Sequence, residues 1–162
     1  MKHKLFIAAL LLTSTQVVAK NSIETIIEKY NVKNCHSELK TMAEDVIGSK
    51  KHRLLVSNQT NKNEFETLLV TGVLEYKDRQ SHITFSMSHS DQHCEVTYKE
   101  SFAVKNPCIV VREEVFKKWL FKGKLNDHTH VFSHKRDENF VGYMTSTKDG
   151  SYCLVSRQKK TS

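Results

Sequence analysis

The stretch NDHTHVFSHK at positions 126–135 holds three histidines, His128, His130 and His134, in ten residues. Side chains at i and i+2 of a strand point to one side. Two neutral imidazoles so placed can bind zinc or copper. A second segment, SHSDQHCE, offers His89, Asp91 and His93 beside a turn. His128 and His130, joined by His89 or His93 and helped by Asp127, therefore form a candidate metal set. Two features oppose it. Phe132 falls between His130 and His134 on the same face, and an H-x-H pair on a strand is an unspecific pattern. The competing expectation is a solvated strand that happens to carry imidazoles. No other cofactor is expected.

Catalytic motifs are missing from the sequence: there is no G-x-S-x-G elbow, H-E-x-x-H pair, Walker loop or dinucleotide fingerprint. Glu113 and Glu114 are helical neighbours whose side chains diverge by about 100°, so they cannot work as a carboxylate pair. These absences point to a binding protein rather than an enzyme.

The four cysteines, Cys35, Cys94, Cys108 and Cys153, contain no C-x-x-C pair. An even number at wide spacing reads as two disulfides in an oxidising compartment. Cys94–Cys108 is disfavoured on geometry. If 94–103 is a straight strand, its ends lie roughly 30 Å apart, and the few residues up to 108 cannot return that distance to bring the Cα atoms within about 7 Å. Cys35–Cys94 with Cys108–Cys153 is the favoured alternative.

The elements that position these residues follow from periodicity. Asn21 and Glu24 resemble a capping box, and Ile23, Ile26, Ile27 and Tyr30 recur at helical spacing. After the polar NVKN, a second stripe of Cys35, Leu39, Met42, Val46 and Ile47 ends at Gly48. The period then changes to two. HRLLVSNQ, FETLLVTGVLEYK, HITFSMSH and CEVTYKESF read as an antiparallel meander with one solvated side, and Gly72 marks a bulge or a close backbone approach. Asn106-Pro107 opens another helix, with Pro at its first position, carrying Val111, Val115, Phe116 and Trp119. Strands follow near 127–135, 140–147 and 152–158, the last two joined at Asp149-Gly150, a two-residue hairpin signal. No segment repeats another. The expected fold is α+β: an N-terminal helix or helix pair and a second short helix, packed on an antiparallel meander sheet and stapled by two disulfides.

The N-terminus sets the compartment. Lys2, His3 and Lys4 precede the apolar run LFIAALLL, which is too short to span a bilayer. Small residues then surround Val18, giving the anatomy of a secretory signal peptide cut after Ala19. The expected organisation is a leader at 1–19 and one domain at 20–162, exported to the periplasm or extracellular space without stable membrane insertion. Cleavage takes Lys+Arg from 25 to 23 against 18 acidic residues, a net of +5.

Lys117, Lys118, Lys122 and Lys124 interleave with Phe116, Trp119 and Phe121, a composition suited to an anionic membrane surface or polyanion. The apolar spacing over 111–119 favours instead the C-terminal half of an amphipathic helix with its aromatics in the core. KKHR at 50–53 reads as a solvated connection, and no nucleic-acid partner is expected. Asn58-Gln59-Thr60 matches the glycosylation sequon. Together these readings imply an exported module that binds another protein, acidic or envelope-associated, in the manner of an inhibitor or immunity protein against an envelope hydrolase or toxin. Asp91, Lys122, Lys124 and Asp127 are the candidate partner-facing residues. The alternative is an extracytoplasmic metal- or small-ligand-binding protein using the histidines.

Overall fold

A computed structural model describes residues 22–62, 65–90 and 93–161. The expected leader at 1–19, Asn21 of the expected capping box and Asp91 lie outside the described residues. Two helices open the described chain, α1 (Ser22–Lys29) and α2 (His36–Ile47). The NVKN segment breaks the helix because Asn31 and Cys35 take left-handed backbone angles, φ 48° and 55°. A buried carboxylate holds this break: Glu66 accepts the amides of Lys33 (3.3 Å) and Asn34 (3.0 Å) and the Asn34 side-chain NH2 (3.3 Å). Those amides lead into α2, so the side chain satisfies donors that would otherwise be hidden from water.

Four strands follow: β1 (Lys51–Lys62), β2 (Phe65–Glu75), β3 (Gln80–Ser90) and β4 (His93–Val104). Helix α3 (Cys108–Val115) and four more strands complete the chain: β5 (Trp119–Asn126), β6 (Thr129–His134), β7 (Asp137–Ser146) and β8 (Cys153–Lys160). All eight pair antiparallel in one sheet of order β1-β2-β3-β4-β8-β7-β6-β5. The fold is α+β, as the alternation of periods implies.

The strand order exposes an architectural repeat that the residues themselves conceal. Each half is a four-stranded meander preceded by helix, α1 and α2 in the first half and α3 in the second, and the halves join where β4 pairs with β8. Each half also carries one disulfide of the same kind. Cys35 at the start of α2 bonds Cys94 near the start of β4 (Cα–Cα 5.6 Å), and Cys108 at the start of α3 bonds Cys153 at the start of β8 (Cα–Cα 4.9 Å). Only the alternation of apolar positions and the staple points need recur, so the repeat leaves little trace in sequence. Strand β4 runs unbroken from residue 93 to 104, which keeps Cys94 and Cys108 apart as strand length requires.

Three local expectations change. Helix α3 stops at Val115, and Trp119 begins an edge strand rather than ending a helix. Residues 111, 115, 116 and 119 fit a helical stripe, but pairing with β6 gives 119–126 a ladder, and Phe116 turns inward to stack on Phe132 (ring centroids 4.8 Å). Pro107 takes the N-cap position, and Cys108 is the first helical residue. The Asp149-Gly150 connection is a six-residue loop at 147–152. Asp149 accepts hydrogen bonds from the Thr147 hydroxyl (2.7 Å), the Ser151 hydroxyl (2.6 Å) and the Ser151 amide (3.2 Å), which hold its carboxyl down at about 2.

Two apolar cores lie on one face of the sheet. The first packs Ile23, Leu39 and Ile47 against Val70, Phe85 and Tyr98; the second packs Val111 and Phe116 against Phe132, Met144 and Val155. Tyr98 and Phe102 share a face of β4 and belong to different cores, so all three helices cover that same face. At the two glycines where side chains are excluded, the reason is close approach. A Cβ at Gly72 would meet the Arg53 carbonyl oxygen, and one at Gly142 would meet the Phe116 ring. Among the described residues no helix is long and apolar enough to cross a membrane.

Candidate functional site

The structure holds the two histidine segments apart. His128 sits in the two-residue turn between β5 and β6, exposed, not on a strand beside His130. Asn126 makes that turn by accepting the amides of His128 (2.9 Å) and Thr129 (2.8 Å) on its side-chain oxygen. His130 lies on β6 opposite Lys124 and Met144, its ring 5.8 Å from Phe121 and its buried Nδ1 without a hydrogen-bond partner. His134 is half-buried and lies edge-on to Trp119 at 5.3 Å. His89 and His93 belong to the β3–β4 hairpin, opposite Cys94 and Ser90 respectively.

Strands β4, β8 and β7 separate β3 from β6. The hairpins are also at opposite ends of the strands: the row from Thr129 passes through Thr145 and Leu154 to Ala103, ten residues along β4 from His93. That is about 34 Å of strand. Among the described residues no group of three or more His, Cys, Asp or Glu side chains is placed to hold a metal ion. The structure therefore does not bring His128 and His130 to His89 or His93.

What the fold does expose is the second face of the sheet. One row across it reads Leu55, Thr71, Thr84, Lys99, Gln158, Val141, Ser133, Leu120. Hydroxyls pair along this face, Ser57 with Thr71 at 2.7 Å, Ser101 with Ser156 at 3.2 Å and Thr129 with Thr145 at 3.0 Å. Between them stand Tyr143 and the exposed Leu154, which with Ser101, Thr145 and Ser156 line a shallow cavity of about 300 Å³. No described helix covers this side, since the three helices pack on the other.

Charge divides the two halves. Residues 22–104 carry ten basic and twelve acidic side chains, while 108–162 carry eleven basic and six acidic. The excess is tightest over 116–136, where six cations face a single acid, Asp127. Lys122 and Lys124, two of the expected partner-facing residues, lie on β5 in this segment, and Asp127 shares the turn with His128. Beside them Leu120, Phe121 and Leu125 are 47%, 52% and 69% exposed. Reading 116–124 as the C-terminal half of an amphipathic helix puts Phe121 in the core, where the structure exposes it. The alternation of Trp119 and Phe121 is the available signal for a strand.

A third constellation lies between the two cores. Glu100 is 1% exposed and pairs with Arg157, whose Nε donates to it at 3.1 Å. The Tyr76 hydroxyl donates to the other Glu100 oxygen at 2.7 Å. Burial works to raise the Glu100 carboxyl, but Arg157 and the tyrosine hydroxyl outweigh it and hold it below the usual range. Burial, reinforced by the Glu100 charge, pushes Tyr76 up to about 12. Arg79 stacks over Tyr76 and Phe102, 4.4 Å from each centroid. Both Glu100 oxygens are met by donors, which is the arrangement of a structural network.

A groove of about 620 Å³ between α2 and the β7–β8 ends is likewise occupied by its own charges, Lys159 bridging Asp45 (2.9 Å) and Asp137 (3.3 Å). One serine–histidine contact, Ser22 Oγ to His52 Nε2, ties the start of α1 to the edge strand β1; the other ring nitrogen bonds the Lys50 carbonyl at 2.7 Å. No protein-family profile, curated protein or solved structure matches this chain.

Proposed function

We propose that the chain is an exported, disulfide-stapled protein-binding module whose docking platform is the open face of the sheet. One observation carries this reading: eight strands bear all the described helices on one side, and among the described residues nothing packs over the other. Strands about 4.8 Å apart make that face roughly 34 Å wide, enough for the ~800 Å² per partner of a standard protein interface. Its mixture of hydroxyls with Tyr143, Leu154 and Val141, and its low density of charge, suit the centre of such an interface. The two disulfides support an oxidising compartment. In the finer form of the proposal the module inhibits or neutralises an envelope hydrolase or toxin by covering part of its surface.

The test is site-specific photo-crosslinking in the exported fraction. A cross-linking side chain at Tyr143 or Leu154 is expected to trap one discrete partner, and the same group at Ser37, on the helix side, is not. Equal trapping from both sides, or none from the open face, removes the proposal.

A second reading, an extracytoplasmic metal- or small-ligand-binding protein, draws support from His130, whose Nδ1 is buried without a partner. Zinc or copper retained in native mass spectrometry, and lost with His130→Ala, would favour it over protein docking.

A further inference from the structure

We propose that the β5–β6 hairpin is a peripheral docking surface for an anionic lipid bilayer. Leu120, Phe121 and Leu125 enter the interface, and Lys117, Lys118, Lys122 and Lys124 meet lipid phosphates. This surface is the sheet edge, and the proposal does not rest on the open-face reading.

Three observations carry it. The first is charge: the six cations of 116–136 against Asp127 alone give this hairpin segment a net charge as large as that of the whole chain after leader removal. The second is exposure. Of the eight large apolar side chains that stand exposed among the described residues, Leu120, Phe121 and Leu125 fall on this one eight-residue strand, interleaved with Lys122 and Lys124. Exposed apolar groups among amines at one edge are the composition that sits at a bilayer interface, with apolar atoms at the acyl boundary and ammonium groups at headgroup level.

The third is the form of the edge. The β5–β6 register shifts twice, between Phe121 and Gly123 and between Lys124 and Asn126. Gly123 supplies φ 146° within the first irregularity. Bulges and lysines together prevent a clean row of backbone donors and acceptors from accepting another strand. The edge is therefore a poor template for another strand. Leu120, opposite Ser133 on the open face, and Phe121, opposite Phe132 on the helix-bearing face, flank the edge from its two sides. Leu120 to Leu125 span a strip of about 17 Å of strand, so a bilayer met edge-on would receive apolar groups from both faces. The hairpin is stiffened from behind by Trp119, Phe132 and Phe140, with Trp119 edge-on to Phe140 at 4.8 Å, so the strip does not need ordering on contact.

Binding of the purified, oxidised protein to phosphatidylcholine vesicles, with and without phosphatidylglycerol, tests the proposal. Binding is expected only with phosphatidylglycerol, and it weakens as salt rises. Each lysine near an anionic surface contributes about fivefold, so Lys122→Glu with Lys124→Glu should weaken binding by at least about 25-fold. In a Phe121→Trp variant, the emission of the introduced indole should shift to the blue on these vesicles and be quenched by a spin-labelled acyl chain. Thermal melting of each variant, unchanged within a few degrees, separates a surface effect from misfolding. Absence of phosphatidylglycerol-dependent binding overturns the proposal, as does binding that survives the charge reversal or an introduced indole that stays in water. A result in which the same variants lose an acidic protein partner while vesicles never bind overturns it too and gives the strip to that partner.

Discussion

Glu100, buried on β4, pairs with the partly exposed Arg157 of β8 across the strand pair that joins the two halves of the sheet. The carboxylate lies between two apolar cores, so neither half can slide along the other without stranding a charge.

Removing one partner should therefore cost more than removing both. Arg157→Met leaves Glu100 buried and unpaired and is expected to destabilise by about 3–5 kcal/mol, whereas Arg157→Met with Glu100→Leu should recover most of the loss. Urea denaturation at neutral pH measures both. The paired Glu100 carboxyl has a lowered pKa. Its stabilisation is accordingly present above the unfolded-state value of about 4.3 and lost as pH falls through the folded value. The acid limb of the stability curve should flatten in the double variant.

Tyr76 titrates late, at about 12. Because the folded state favours its protonated form, its contribution is whole below about pH 10 and disappears as pH rises from there through about 12. Tyr76→Phe removes a hydrogen bond to a charged acceptor, at a cost of about 1.5–3 kcal/mol. It should also delete one late-titrating step from the ultraviolet absorbance of the tyrosines.

Each disulfide closes a long loop, 59 residues for Cys35–Cys94 and 45 for Cys108–Cys153. Chain entropy gives about 4 kcal/mol for either. Loss of Cys108–Cys153 should bring the additional local effect of loosening α3, since that helix has only eight residues and is too short to persist without packing. Hydrogen exchange of the Cys108→Ser, Cys153→Ser protein is expected to show α3 amides exchanging faster than those of α1 and α2. Equal exchange in all three helices would contradict this account.

Gly72→Ala and Gly142→Ala should differ in severity. At Gly72 the added methyl meets a backbone carbonyl of β1, which cannot yield without moving the strand; at Gly142 it meets the Phe116 ring, which can tilt. Both are overpacking changes in the range of about 1–3 kcal/mol. Gly72→Ala should lie at or above the top of that range and Gly142→Ala near the bottom. Thermal melting of the two variants orders them.

Much of this architecture is legible in the residues. A period of two in HITFSMSH and CEVTYKESF places Ile83, Phe85, Val96 and Tyr98 inward, where they are buried. A straight strand at 94–103 excludes Cys94–Cys108 by distance alone. The segment 116–126 misleads because Val111, Val115, Phe116 and Trp119 satisfy a helical stripe, while the partner that makes 119–126 a strand, β6, lies further along the chain. The histidines mislead for a related reason. Spacing says that His128 and His130 are near each other, but the Asn126 side chain puts His128 in a turn, and nothing local says which end of the sheet a hairpin occupies.

Side-chain period and rise per residue are local properties of the backbone, so the order of amino acids alone carries the α+β class, the faces of most elements and the exclusion of Cys94–Cys108; the folded arrangement decides between the two remaining pairings. Strand order and register are not local, because contacts between residues far apart in the chain set them. It took the folded arrangement to join two helix-plus-meander halves in one sheet, to bring Glu100 to Arg157, and to stand the cationic hairpin at a free edge.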